Sequence, residues 1–367
     1  MIKLIDLNYY MHVDISEPAE VIELQKASVG FVKFIHGELN LRLVKHMNYE
    51  GERSINGIAC NFFRRRNSFF AVPFKTHYFI KKQSPDIILI QRLIFPVQII
   101  TLKILAARKV KFIVQHHGEH PYNGIKKAFQ KIADRFVHKY LFTSIGNANE
   151  WIECGIISSK EKCCEVLEAS TSFNQKDREK CKLQLGMIGN QNFLWVGRLH
   201  IGKDPLTVIS AFEKYVTIHP EAKLYMIYQT IELLPWIKEK FAGNEKLKNS
   251  IVMQGKVFHD DLETWYNAAD FYISASLKES TGYALLEAMA CGCIPVVSNI
   301  PAFNKITGNG SYGFLFETRN TNELLSTMIR AQLTNADQMR SKILQHFNQH
   351  LSFESIAHQI QELATTL

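Results

Sequence analysis

SASLKESTGYALLEAMACGCIPVV, residues 274–297, runs in the order strand end, polar loop, short helix, strand. The first strand is read over 271–276, the helix over 283–291 and the second strand over 294–297. A helix that opens at Gly282 leaves the amides of Gly282, Tyr283 and Ala284 without intrahelical partners, and its dipole places about half a positive charge at that tip. Such a tip suits a phosphate. Glu287 stands four residues after Tyr283 and shares its helix face, roughly 6–7 Å further along the axis. The spacing fits a nucleoside diphosphate, with phosphates at the tip, ribose hydroxyls at Glu287, and Glu279 in the loop facing whatever the far phosphate carries.

The chain before this stretch alternates strand and helix, which predicts a parallel sheet covered by helices. Strands are read at 193–197, 223–228 and 251–254, with helices at 205–218, 234–241 and 261–268. Asp204 is a good N-cap and Pro205 a good first helical residue. Leu206, Ile209, Phe212 and Val216 then form an apolar face. Arg198 stands at the carboxyl end of its strand and Lys203 in the loop that follows. A second alternating block precedes this one: a strand at 3–7, a helix at 18–26, strands at 87–90, 111–115 and 140–144, and helices at 96–107 and 125–133. Between Lys26 and Pro85 the pattern assigns no element. His116 and His117 follow the 111–115 strand, at the edge where doubly wound sheets place ligands. The polar segment at 173–192 is read as a hinge, which gives domains over 1–173 and 174–350. The amphipathic helix after them, in 351–367, is able to pack back on the N-terminal domain.

The chain has 367 residues, enough for two domains, and 46% of them are hydrophobic. Its seven cysteines are odd in number, with no paired C-x-x-C spacing for zinc or redox work, so a reduced cytosol is the simplest compartment. The opening MIKLIDLNYY lacks a basic segment followed by an apolar run, and no signal peptide is expected. The most apolar stretch, 94–107, is too short to span a bilayer. Net charge is +8, concentrated in residues 51–150, which hold 17 Lys and Arg against 5 Asp and Glu. With the aromatics of NFFRRRNSFF around Arg64 to Arg66, this favours an anionic membrane surface or a phosphate-bearing substrate. A solvated charged loop is the plain alternative. No RNA or DNA motif accompanies the charge, and nucleic acid is not expected.

FLWVGRLHIGKDP followed by GKVFHDDLETWYNAADFYISASLKESTGYALLEAMACGCIPVV resembles the C-terminal half of family 4 retaining glycosyltransferases of GT-B fold, over about residues 190–300. PDIILIQ, KFIVQHHG and ADRFVHKYLFTS resemble that family's first domain less closely. The resemblance implies two Rossmann-like domains facing across a cleft, the N-terminal one binding the acceptor and the C-terminal one the nucleotide sugar. Arg198 and Lys203 would then grip the donor diphosphate, Gly282, Tyr283 and Ala284 complete the phosphate cradle, and Glu287 accept the ribose hydroxyls. Glu279 would hold hydroxyls of the transferred sugar. Lys256 and Val257 are read as further donor-binding residues, with Gln254, Gly255 and Lys256 bordering the base and plain loop geometry as the equal alternative. His117 resembles the family histidine that faces the donor sugar, with His116 as the fallback; each is otherwise read as a structural histidine. No D-x-D pair is present for a divalent ion, so neither metal nor cofactor is expected and protein cations would take that part.

The implied activity is transfer from a UDP-, GDP- or ADP-sugar to a hydroxyl of a glycan or lipid-linked acceptor, in envelope or capsular polysaccharide biosynthesis. The implied location is cytoplasmic, peripheral on the inner face of the membrane. A nucleotide-sugar epimerase of the same fold and a non-catalytic partner subunit are the rivals. A Rossmann dehydrogenase is disfavoured because no G-x-G-x-x-G follows a predicted strand. Two departures from the family stand in the first domain: Asn8-Tyr9-Tyr10 replaces a glycine-rich loop, and Glu168-Ala169 replaces an Asn-Gly. A third, Gln229-Thr230-Ile231, replaces a Gly-Asp-Gly type turn in the second.

Overall fold

The computed structural model describes residues 1–367 apart from 38, 107, 108 and 190. The chain divides into two compact units, Met1–Ser170 with Phe353–Leu367, and Thr171–Ser352.

The first unit holds an eight-stranded sheet made of β1 (Ile2–His12), β2 (Leu39–Met47), β3 (Gly51–Ile55), β4 (Ile58–Phe63), β5 (Ile87–Gln91), β6 (Lys111–Gln115), β7 (Lys139–Phe142) and β8 (Cys163–Glu165). Its order is β3-β4-β2-β1-β5-β6-β7-β8, parallel except for the β3-β4 hairpin. The chain therefore reverses its direction of travel across the sheet between β1 and β5, where Asn8 lies opposite Gln91. Buried Ile88, Ile90, Phe112, Val114 and Phe142 supply the centre of the core, which explains why β5 to β7 read as apolar runs. Strands β2 to β4 and the helix Phe74–Gln83 occupy the stretch that periodicity left unassigned. The Pro96–Ala106 helix is as expected up to Ala106, and its expected last residue, Ala107, lies outside the described residues. The helix Phe353–Thr366 belongs to this unit: the Phe353 ring lies where a Cβ on Gly30 would fall, and Gln361 donates to the His36 carbonyl at 2.7 Å.

The second unit holds a six-stranded parallel sheet of β9 (Asn192–Gly197), β10 (Lys223–Tyr228), β11 (Ile251–Gly255), β12 (Phe271–Ser274), β13 (Ile294–Ser298) and β14 (Phe314–Phe316), in the order β11-β10-β9-β12-β13-β14. This is the doubly wound order in which ligands bind beyond the carboxyl ends of the two strands at the reversal, here β9 and β12. Phe193 and Phe271 stack across that pair at 4.9 Å, and Phe212 and Tyr215 of the Pro205–Ile218 helix pack on Phe193. At the opposite end, Asp270 gathers Arg178, Lys182, Arg340 and the Asn192 amide, which fixes where β9 and β12 start.

Candidate active site

The second unit brings its expected residues to one edge. Arg198 leaves the end of β9 and the 275–282 loop leaves the end of the neighbouring β12. The two loops are joined by Leu277 N–H donating to the Gly202 carbonyl at 2.9 Å. Lys203 Nζ donates to Glu279 Oε1. The resemblance gives these two to phosphate and sugar respectively, and in the structure each is held by the other. Arg198 is exposed, and its side chain makes no hydrogen bond or ion pair with any described residue.

The helix Tyr283–Ala290 starts as expected. Gly282 has φ +88°, and a Cβ there would come within 2.5 Å of the Phe303 ring, so only glycine fits. The amides of Gly282 and Ala284 bond to no described residue. Glu287 is buried, 8% exposed, one turn along this helix. Its Oε2 accepts from the Tyr266 hydroxyl at 3.0 Å, and its Oε1 lies 2.7 Å from His259 Nε2. Burial and the Glu287 charge push the Tyr266 hydroxyl well above its usual range, so it stays a donor.

Tyr266 and His259 were not singled out from the sequence. They stand seven residues apart on the helix His259–Ala268 and so share its face, a spacing that pairs them without naming Glu287 as their target. Lys256 and Val257 follow β11 at the same sheet edge, two strands from β9. His259 comes three residues after Lys256 and links that segment to Glu287.

In the first unit His116 and His117 diverge. His116 is 3% exposed, with Nε2 3.1 Å from the Glu119 carbonyl and Nδ1 accepting from Gly118 N–H at 3.4 Å, and burial lowers its pKa. It closes its own loop. His117 is partly exposed: Nε2 lies 2.6 Å from Gln91 Oε1, and Nδ1 lies 2.9 Å from Glu168 Oε2. Of the tyrosines after the start of β1, Tyr9 is fully buried and bonds His77, whereas Tyr10 is 47% exposed with the Arg92 guanidinium 5.5 Å from its ring centre. Arg92 itself holds φ +81° at the end of β5, a strained setting for a residue with a side chain.

Residues 190–333 match the family described as glycosyl transferases group 1. The matched stretch lies within the second unit. Across the whole chain, the fold is GT-B. The Anabaena protein HepE, solved in complex with UDP, is 18% identical and superposes with a TM-score of 0.75 over 100% of both chains. A glycosyltransferase from Rickettsia africae, also 18% identical, does so at 0.72 over 100% of this chain and 98% of its own.

Among curated relatives, the alpha-monoglucosyldiacylglycerol synthase of Streptococcus pneumoniae is 24% identical over 52% of this chain and 42% of its own. An Escherichia coli UDP-Gal:alpha-D-GlcNAc-diphosphoundecaprenol alpha-1,3-galactosyltransferase is 29% identical over 42% and 41%. The chain thus spans less than half the length of these two relatives. The matched stretch contains every expected donor residue, Arg198, Lys203, Lys256, Val257, Glu279, Gly282, Tyr283, Ala284 and Glu287, whereas His117 lies outside it.

Proposed function

We propose that the chain is a retaining glycosyltransferase that transfers a sugar from a nucleoside-diphosphate donor to a hydroxyl of a glycan or lipid-linked acceptor. The observation that carries this reading is the reversal point of the second sheet. There an exposed Arg198, a Lys203 held by Glu279, and a helix tip whose Gly282 and Ala284 amides bond to no described residue converge, one turn from a buried carboxylate. Arg198, Lys203 and the tip would take the diphosphate, and Glu287, turned by Tyr266, the ribose. On donor binding Lys203 would pass from Glu279 to the phosphate, and the Glu279 carboxylate would turn to the sugar's hydroxyls.

The reaction is a front-side displacement. The bond from the sugar's anomeric carbon to the phosphate oxygen breaks, the acceptor oxygen bonds on the same face, and the leaving phosphate takes the acceptor's proton. Negative charge grows on the diphosphate as the bond breaks, and fixed cations and dipoles lower that barrier. Arg198 and Lys203 supply this charge, so the reaction is read as metal-independent. His117, in the first unit, would position a hydroxyl of the donor sugar.

Of the two curated relatives above, one is named for a glycolipid product and the other for a lipid-diphosphate acceptor, and a lipid-linked acceptor would suit a basic first unit. Its neighbouring helices Phe74–Gln83, Pro96–Ala106 and Gly124–Asp134 expose Phe74, Tyr78, Ile104 and Ile125. Asp134, which is buried, is the one acidic residue in these three segments, and lysines recur through them. No helix among the described residues is long and apolar enough to cross a membrane. We read this face as resting on the anionic inner surface of a membrane during envelope polysaccharide synthesis.

The deciding experiment offers the full chain a panel of UDP-, GDP- and ADP-sugars and follows binding by calorimetry and slow donor hydrolysis by NMR. Binding of one nucleotide class, abolished in Glu287→Ala, is expected. Failure of every donor to bind or turn over would end the proposal, and conversion of donor to an isomeric nucleotide sugar without acceptor would mean an epimerase.

A further inference from the structure

Five polar side chains cross the first sheet in one line. Lys45 on β2 donates from Nζ to Asp6 Oδ1 on β1 at 3.0 Å, and both are within 1% of complete burial. The other Asp6 oxygen, Oδ2, accepts from Gln91 Nε2 on β5 at 2.7 Å. Gln91 Oε1 lies 2.6 Å from His117 Nε2, and Glu168 Oε2 lies 2.9 Å from His117 Nδ1. Glu168 stands where the sequence departs from the family's Asn-Gly, and Asp6 is two residues before the Asn8-Tyr9-Tyr10 departure.

The polarity of this line follows from its buried end. An ionised carboxylate only accepts hydrogen bonds and an ammonium only donates. Asp6, held against Lys45 away from water, must receive hydrogens on both oxygens. The Gln91 amide is therefore oriented with its NH2 group toward Asp6, since the reverse would set its oxygen against the carboxylate. Its carbonyl oxygen then faces His117 and requires a hydrogen on Nε2.

We propose that the buried Lys45–Asp6 pair acts through Gln91 as a positioning device for His117, selecting Nε2 as a hydrogen-bearing nitrogen and stopping the ring from turning. The Glu168 carboxylate lies beside the opposite edge of the ring. Gln91, Asp6 and Lys45 are positioning residues, since they act on substrate only through His117. The inference rests on the reading of His117 given above for its effect on turnover, but not for its effect on the ring.

The test uses the full-length protein labelled with 15N-histidine. A long-range proton–nitrogen spectrum of the wild type should contain a slowly exchanging Nε2–H signal that is missing in His117→Ala. Gln91→Leu should lose that signal to solvent exchange. So should Gln91→Glu, in which the new carboxylate meets Asp6. Combining Asp6→Asn with Gln91→Glu restores a donor facing an acceptor at both junctions, and the signal should return.

In the donor assay, Gln91→Leu should lower kcat at least tenfold with KM for the donor changed less than twofold, and the double variant should regain most of it. A merely structural role would lower melting temperature without this split. A Nε2–H signal unchanged in Gln91→Leu would overturn the positioning device outright. If the signal behaves as stated but His117→Ala leaves turnover unaltered, the device stands and the assigned role of His117 falls.

Discussion

The Tyr266 hydroxyl donates to Glu287 Oε2 at 3.0 Å, and both residues are buried beside the tip of the helix Tyr283–Ala290. One oxygen of the carboxylate is thereby fixed by the protein, while the other faces the half-exposed His259. Tyr266→Phe should weaken nucleoside-diphosphate binding about fivefold to twentyfold, the equivalent of ~1–2 kcal/mol for a hydrogen bond to a charged group. Calorimetry with UDP and GDP measures this, and a fall in affinity as large as that of Glu287→Ala would mean that Tyr266 does more than orient.

Lys203 and Arg198 should separate by what they do to kcat. Lys203→Ala should reduce turnover at least tenfold, about 1.4 kcal/mol of barrier. It also releases Glu279 from its partner. The Arg198 side chain has no partner among the described residues, so Arg198→Ala should raise the donor KM and flatten its dependence on salt, with thermal stability unchanged. Steady-state kinetics at two ionic strengths reads both.

Gly282→Ala combines a backbone fault with a steric one: φ is +88°, and the added carbon would sit 2.5 Å from the Phe303 ring. A loss of ~1–3 kcal/mol in unfolding free energy is expected for such a strained site. Phe303→Leu in the same chain should relieve the steric part alone, so the double variant should recover some stability, but not all. Denaturant titration gives the values.

Burial takes the imidazole of His46 from the ordinary histidine value of 6.5 to about 4 and that of His77 to about 3. A folded pKa below the unfolded one means that the unfolded chain binds more protons. Stability is therefore full above pH 6.5 and declines as pH falls through 6.5 toward 4. The decline for His46 is on the order of 3 kcal/mol. His46→Gln keeps groups able to meet the Asn8 carbonyl and Thr76, and should flatten the melting-temperature profile in that window.

If the helices Phe74–Gln83 and Gly124–Asp134 meet a membrane, the full chain should sediment with vesicles containing phosphatidylserine and not with pure phosphatidylcholine. Binding should weaken as salt is raised. Combining Phe74→Ser with Ile125→Ser should abolish most of it while leaving nucleotide affinity intact.

Much of the second unit was legible in the chain. The helices Pro205–Ile218 and Leu234–Phe241 and the strand Lys223–Tyr228 end where the pattern ends, since caps and apolar spacing are local. The helix tip at Gly282 was legible for the same reason. Strand β2, LNLRLVKHM, was not. Its Lys45 and His46 are 1% and 0% exposed yet polar, and they break the apolar run of a buried strand. They are tolerated because Asp6, the Asn8 carbonyl and Thr76 satisfy them, each at least 30 residues away in sequence.

Read alone, the chain determined the alternation of strand and helix, the basic character of the protein, and the types of side chain available to a diphosphate. These follow from neighbours within a few residues, which sequence order preserves. Only the tertiary structure decided that Lys203 rests on Glu279, that Tyr266 and His259 flank Glu287, and that a buried lysine 72 positions before His117 is linked to it through Asp6 and Gln91. Those pairings join loops and strands brought together by the sheet orders, and hydrogen-bond geometry over such separations has no periodicity to leave in a sequence.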